Sequence, residues 1–249
     1  MNSPMLVFVL ILVVLWLSAQ VGDLIRKTFL PFQETERGDF TVVVSAMLTL
    51  LGLLIGFAFS MAVTRYDQRK NYEEAEANAI GTEYVRADLL PAQNAALVRE
   101  LLKKYVDERI LFYTTREQHM LTKVNADTAD LQNQLWSAVR SAASTQPTPI
   151  TALAVSGMND VLNSQGYTQA AWWNRIPTAA WVLMTIIAVF CNLLLGYSAH
   201  NTERRLSLVL PFAVALSFLL ISDIDSPRGG NIRVAPQNLL SLAQSLRTP

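Results

Sequence analysis

The chain has 249 residues, of which 51% are hydrophobic, and its 20 basic and 20 acidic side chains leave no formal net charge. This balanced charge, with no basic patch, argues against nucleic-acid binding. Its single cysteine excludes a disulfide within the chain. Its two histidines lie far apart in sequence and supply no metal-ligand spacing. We therefore expect no cofactor.

The hydrophobic residues are concentrated in four segments without a charged side chain: residues 5–21, 40–64, 176–202 and 206–222. A bilayer core of about 30 Å requires roughly 20 apolar residues in a helix, so each segment is predicted to cross a membrane. The first segment lacks a preceding Lys or Arg, and Leu17 occupies the position where signal-peptide cleavage needs a small residue. We therefore expect the first span to stay uncleaved.

Most charged residues lie between the second and third segments. Apolar residues recur there at helical spacing between prolines and polar clusters, which predicts helices at 65–90, 92–119, 126–144 and 150–171. The predicted fold class is all-α: an integral membrane protein with four transmembrane helices and a helical soluble extension between the second and third. The predicted parts are residues 1–63 (helices one and two), 64–175 (soluble region), 176–222 (helices three and four) and 223–249 (a tail packing on the soluble region).

The sequence also predicts the environment of individual side chains. Cys191 is expected to be a buried apolar residue of the third span. Trp172 and Trp173 are expected at the membrane interface. In the first soluble helix, apolar and aromatic residues recur at helical spacing at Ile80, Tyr84 and Leu89. The second is predicted to carry Leu97, Leu101, Tyr105 and Phe112 on one side.

The second segment, "GLLIGFAFSMAVTRYDQRKNYEE" at its exit, carries a stripe of small or weakly polar residues. Close helix packing is one interpretation, because small residues let helix backbones approach each other within lipid. The other interpretation is that this face borders a path for ions, with apolar side chains forming a constriction. Spacing alone does not separate the two. The stripe consists of Ser45, Thr49, Gly52, Gly56 and Ser60, and the apolar candidates one turn apart are Leu53 and Phe57.

Charged residues follow directly after the second segment. Arg69 with Glu73, and Lys70 with Glu74, are four residues apart, so exposed helix pairs are one interpretation. The other is a ring of charge at a pore vestibule, to which Arg65 would also contribute. Both signs are present, so the selected ion stays open.

The stretch "GFAFSMAVTRY", residues 56–66, resembles the end of the second membrane helix of bestrophins. In that family Gly-Phe is followed, after six residues, by Thr-Arg and an aromatic residue. The whole chain is more similar to the bacterial bestrophin-like family, in which "GLLIGFAFSMAVTRYDQR", "EANAIGTEYVRADLLP" and "DIDSPRGGNIRV" occur together.

The resemblance implies a homo-oligomeric ion channel, with five subunits as the expected number and inorganic ions as the transported species. It implies that the second helix lines the pore, with the neck at Phe57, Leu53 and Thr49. Thr49 departs from a purely apolar neck, which leaves open a wetter constriction or one elsewhere. The resemblance also implies a bacterial inner-membrane protein with its soluble helices in the cytoplasm, which the flanking charges alone do not determine.

Bestrophins follow their fourth helix with Pro-x-Gly and an acidic run that helps to bind calcium. Residues 227–229 match the Pro-x-Gly, but no acidic run follows. Calcium prefers six to eight oxygen ligands, and only Asp223, Asp225 and Asn231 are weak candidates. We therefore expect no metal site and interpret the two aspartates as the end of the span.

No enzyme motif is present: neither a Gly-rich phosphate loop, nor Gly-x-Ser-x-Gly, nor His-Glu-x-x-His occurs. We therefore predict that the protein is not an enzyme. The alternative to a channel is a non-conducting membrane protein whose soluble helices bind a partner in signalling or assembly. A pore needs a symmetric ring of copies, whereas partner binding does not.

Overall fold

The computed structural model describes residues 3–28, 37–198 and 208–247, and every regular element within these ranges is helical. The all-α prediction is thereby confirmed for this part of the chain. The helices are α1 (Pro4–Thr28), α2 (Arg37–Arg86), α3 (Ala92–Thr114), α4 (Gln118–Thr145), α5 (Pro149–Trp173), α6 (Thr178–Ser198), α7 (Val209–Asp225) and α8 (Gln237–Ser245), with one 3-10 turn at Ala87–Leu89.

Two helix boundaries differ from the sequence prediction. The helix predicted to reach residue 119 ends at Thr114, and α4 begins at Gln118 rather than at residue 126. Thr115 and Glu117 adopt extended backbone angles, although no proline or glycine marks this break in the sequence. Leu121 and Val124 are buried, and their burial accounts for the early start of α4.

Among the described residues, three helical stretches are long and apolar enough to cross a membrane: Pro4–Thr28, Gly38–Leu89 and Pro149–Ser198. In the second, the uncharged part is residues 40–64, and the charged half of α2 follows it. Helix α7, with 17 residues, is shorter than these three stretches. Residues 206–207, where the fourth span was predicted to begin, lie outside the described ranges.

The chain forms two compact units. The first, Met1–Arg65 with Arg175–Arg233, contains α1, the first half of α2, α6 and α7. Its interior is lined by apolar side chains at helical spacing, such as Val7, Ile11 and Leu15 of α1. Cys191 of α6 is fully buried and unpaired, as predicted.

Helices α1 and α6 approach each other most closely at two glycines. A Cβ atom on Gly22 would lie 2.0 Å from the carbonyl oxygen of Leu193, and one on Gly196 would lie 2.0 Å from that of Ala19. Close by, the Ser18 hydroxyl donates to the carbonyl oxygen of Val189 at 2.6 Å. Small residues therefore permit backbone contact at this interface, where lipid supplies no hydrophobic drive.

The second unit, Tyr66–Asn174 with Val234–Pro249, contains the charged half of α2 together with α3, α4, α5 and α8. Its core is apolar and aromatic, and the ring centroids of Phe112 and Trp172 are 5.0 Å apart. Trp172 is therefore a core residue rather than an interfacial one, whereas Trp173 is exposed. Leu97 and Leu89 are exposed, because the buried positions beside them are Val98 and Leu90.

We expect Gly196→Ala to destabilise the first unit by about 1–3 kcal/mol, the usual cost of overpacking a close contact. The added methyl group would push α6 away from α1. The measurement is detergent-induced unfolding of the single chain. Gly166→Ala is the matched control, because a Cβ on this exposed helical glycine meets nothing within 4 Å in the described residues. Equal losses for the two variants would contradict the assignment of close packing to Gly196.

Candidate functional site

The first half of α2 buries one face within its unit. Val44, Leu51, Ala58 and Ala62 are buried, and they follow one another at intervals of seven, seven and four residues. At 3.6 residues per turn these positions form a single stripe along the helix. This face holds α2 against its own chain, so the opposite side is available for another role.

The predicted small-residue stripe lies on that opposite side of α2. All of its members are exposed, and a Cβ on either Gly52 or Gly56 would meet nothing within 4 Å among the described residues. Close helix packing through glycine occurs in this unit at Gly22 and Gly196 instead. Within the chain, the stripe at Ser45, Thr49, Gly52, Gly56 and Ser60 therefore packs against no other described helix, and packing against another copy stays a prediction.

The proposed constriction residues are on the exposed side as well. Leu53 is 53% exposed and Phe57 is 61% exposed. Thr49 is exposed too, but its hydroxyl donates to the carbonyl oxygen of Ser45 at 2.8 Å. Because that donor is satisfied inside the helix, the Thr49 side chain is less polar toward its surroundings than its residue type suggests.

The second half of α2 buries a stripe of charged residues. Arg69, Glu73, Glu76 and Glu83 are each at most 1% exposed, and Ile80 lies fully buried among them. Their intervals of four, three, four and three residues place them on one face. Charged side chains are almost never fully buried unless they are paired, so each of these groups needs an account of its partners.

Glu76 is the best-satisfied carboxylate of this stripe. One oxygen accepts from Nε of Arg109 at 2.5 Å, and the other accepts from the hydroxyls of Tyr113 at 3.3 Å and Thr168 at 3.0 Å. The guanidinium of Arg109 also lies 4.4 Å from the ring centroid of Phe112. Burial lowers the pKa of Arg109, but the Glu76 carboxylate together with Tyr105 and Tyr113 outweighs this effect, so the net pKa is raised and the guanidinium keeps its charge. The hydrogen bonds of Glu76 join α2 to α3 and α5.

Glu73 provides the N-terminal cap of α8. Its carboxylate accepts from the backbone N–H of Leu239 at 2.9 Å and from the side-chain amide of Asn238 at 2.6 Å. Pro236, the residue before this helix, makes no side-chain capping bond. A carboxylate at a helix N-terminus satisfies a free donor and interacts favourably with the helix dipole.

The predicted vestibule charges therefore divide into two groups. Arg69 and Glu73 are buried within the second unit, so they do not form an exposed helix pair. Lys70 and Glu74 are exposed, and Arg65 is half-buried. For these three, a place in a pore vestibule stays a prediction.

The two aspartates near the end of α7 bind backbone amides. Asp223 accepts from the N–H groups of Asn231 and Ile232, each at 2.8 Å. Asp225 accepts from the N–H of Ile176 at 3.1 Å. Among the described residues, no group of three or more His, Cys, Asp or Glu side chains is arranged to hold a metal ion.

Sequence reasoning missed both the charged stripe and the packing glycines. A search for apolar periodicity passes over charged residues, although Ala62, Arg69, Glu76 and Glu83 follow one another at intervals of seven and extend the apolar stripe of the first half. For the glycines, the spacing of Ser18 and Gly22, four residues apart in the first span, was the available signal.

Comparison with known proteins identifies relatives of the whole chain. A family model described as a Bestrophin-like domain matches residues 7–239. The chain is similar to the structure of a variant bacterial bestrophin homologue from Klebsiella pneumoniae, with a TM-score of 0.69 and 12% identity, over 96% of this chain and 93% of that one. A further structure of a bacterial bestrophin homologue from Klebsiella pneumoniae gives a TM-score of 0.65 and 14% identity, with 97% and 95% covered. No curated protein sequence matches the chain significantly.

We expect Glu73→Ala to loosen α8 by removing its cap, at a cost of about 1–2 kcal/mol. Backbone amides of α8 should then exchange hydrogen about 5–30 times faster, the ratio that corresponds to this loss. Hydrogen exchange of the full chain in detergent measures the effect. Glu74→Ala, which removes the exposed neighbouring carboxylate, should leave the exchange of α8 unchanged. Equal acceleration in both variants would contradict the capping role.

We expect Arg109→Met to destabilise the second unit by about 3–5 kcal/mol, because it leaves the buried Glu76 charge without its main partner. Denaturant unfolding of the full chain in mild detergent measures the loss. The control is Arg247→Met, which removes the exposed ion pair between Arg247 and Asp107. That pair should contribute no more than about 1 kcal/mol. A loss of similar size in both variants would show that the buried pair has no special role.

Proposed function

Because the chain belongs to the bestrophin-like family, we propose that it forms a homo-oligomeric ion channel in which the first half of α2 lines the pore. One observation carries the proposal: the face of α2 with Thr49, Leu53 and Phe57 lies opposite its buried face and is exposed. The match to residues 7–239 and the shared fold of the bacterial bestrophin homologues support it. Together with its apolar helices, the family identifies an integral membrane protein.

In this proposal, copies of Leu53 and Phe57 around a symmetry axis form a hydrophobic constriction. Such a constriction gates by excluding water, because an ion that enters it loses its hydration shell without gaining polar partners. Thr49 lies one turn before Leu53 and directs its hydroxyl hydrogen to its own helix. The three positions together would then form a neck that is largely apolar.

The exposed glycines give neighbouring copies a way to assemble. Gly52 and Gly56 leave a shallow surface on which a helix of the next copy can pack closely. In a closed ring, each α2 presents one side to the axis and another to a neighbour. We propose that this ring has five members, following the family resemblance.

We further propose that α7 is the fourth transmembrane helix and that the second unit is the soluble region. The 17 residues of α7 extend about 26 Å at 1.5 Å per residue, close to the bilayer core of about 30 Å. The proposed location is the bacterial inner membrane, with the second unit and the C-terminal α8 in the cytoplasm and inorganic ions as the transported species.

Flux of ions from liposomes tests the proposal. We expect Leu53→Ala and Phe57→Ala to raise the flux of the reconstituted protein, because each widens the constriction and shortens its dry section. A tenfold rise would correspond to a barrier lowered by about 1.4 kcal/mol. Phe190→Ala is the matched control, because Phe190 lies on α6 and is 53% exposed.

Two outcomes would contradict the proposal. A stable reconstituted oligomer that passes no ions under several salts would favour the alternative, a non-conducting protein whose soluble helices bind a partner. Equal effects of Phe190→Ala and Phe57→Ala would show that the α2 face does not form the constriction.

A further inference from the structure

Glu83 is the one carboxylate of the buried stripe on α2 that makes no hydrogen bond with any residue the structure describes. Glu73 and Glu76 occupy the same face and accept two and four hydrogen bonds, respectively. Glu83 is nevertheless 0% exposed. A buried charge without hydrogen bonds is so costly that the group normally takes up a proton instead. Glu83 lies 19 residues after Thr64, well beyond the uncharged segment that we assign to the membrane.

The carboxyl group of Glu83 lies against the backbone of α5 at Gly157. A Cβ atom on Gly157 would be 2.1 Å from Oε2 of Glu83 and 2.5 Å from Nη1 of Arg86. The carboxyl and the guanidinium therefore share the small space that this glycine leaves open. Only glycine permits α5 to approach these two side chains so closely.

Arg86 has a second acidic neighbour on the other side. Its Nη1 lies 4.0 Å from Oδ2 of Asp160, an exposed carboxylate of α5. The charged groups that act on Glu83 are these two: Arg86 on its own helix and Asp160 on α5. In the adjoining elements, Asp88 of the 3-10 turn and Arg99 of α3 form an ion pair with each other.

We propose that Glu83 is a proton switch at the contact between α2 and α5. When Glu83 is protonated, Arg86 interacts with Asp160, and this ion pair links α2 to α5. When Glu83 ionises, it draws the guanidinium of Arg86 away from Asp160 and loosens α5 around Gly157. The proton passes to solvent, and no other group changes its covalent state. The switch lies entirely within the second unit and goes beyond the question of conduction.

The direction of the shift agrees with this geometry. Burial raises the pKa of Glu83, Arg86 lowers it by less and Asp160 adds a smaller rise, and together these effects bring the pKa to about 8. The folded chain therefore keeps a proton that the unfolded chain, with an ordinary glutamate pKa of 4.5, releases. Stability must then fall as the pH rises from about 4.5 to about 8, and it should level off above that range.

Infrared spectroscopy of the full chain in detergent tests the switch directly, because only a protonated carboxyl gives the carbonyl band of a carboxylic acid. We expect one such band to disappear between about pH 7 and pH 9 and to be missing in Glu83→Gln. Glu74→Gln, which changes an exposed carboxylate on the same helix, should retain the titrating band. In parallel, the protection factors of the α5 amides around Gly157, which correct for the intrinsic rise of the exchange rate with pH, should fall over the same pH range in the wild type and in Glu74→Gln, but not in Glu83→Gln.

Asp160→Asn supplies a second variant that alters only an exposed side chain. It removes the competing partner of Arg86, so the band should titrate at a lower pH than in the wild type. No titrating band above pH 6, or the same loss of α5 protection in Glu83→Gln, would overturn the proposal. An unchanged titration in Asp160→Asn would overturn the exchange of Arg86 between the two carboxylates.

Discussion

Burial of a single face of α2 is the constraint on which the rest of the structure depends. This 50-residue helix contributes to both compact units, and in both it buries residues at intervals of three, four or seven. The buried positions are apolar up to Ala62 and mostly charged from Arg69 onward. The same helical spacing therefore serves two purposes. In the apolar half of α2 the buried residues pack closely, and in the charged half Glu73 and Glu76 form hydrogen bonds.

The charged half explains the arrangement of the second unit. Removing a carboxylate from water is tolerated only where donors replace the lost hydration. Arg109 and Tyr113 of α3, Thr168 of α5 and the N-terminus of α8 provide those donors. Hydrogen bonds to Glu73 and Glu76 therefore hold α3, α5 and α8 against α2, in addition to the apolar contacts of the core.

Much of the fold followed from the sequence, because charge-free runs and helical periodicity are local properties. The all-helical class and the burial of Cys191 needed nothing more. The buried role of Glu73 could not be predicted in the same way, since its partners at 238 and 239 are more than 160 residues away in sequence. The exposure of Leu97 and Leu89 was equally hidden from the sequence, because apolar residues next to them, Val98 and Leu90, occupy the buried positions.

The candidate pore face shows a different limit. The positions at Thr49, Leu53 and Phe57 came from the family resemblance and from spacing, and the structure adds that this face is free of contacts with the described helices of its own chain. A stripe of glycines alone did not distinguish packing within the chain from packing between copies. Gly22 and Gly196 provide close packing between α1 and α6, and packing of Gly52 and Gly56 against another copy remains a proposal.

The cap that Glu73 places on α8 also bears on the order of folding. The two partners of this contact are separated by 166 positions, so the contact cannot form until synthesis has reached Leu239. Contacts between residues so distant in sequence form slowly, because a long loop must close first. A chain synthesised only as far as α5 lacks these donors for the Glu73 carboxylate. Docking of α8 onto α2 therefore supplies the donors of Glu73 after the neighbouring helices have been synthesised.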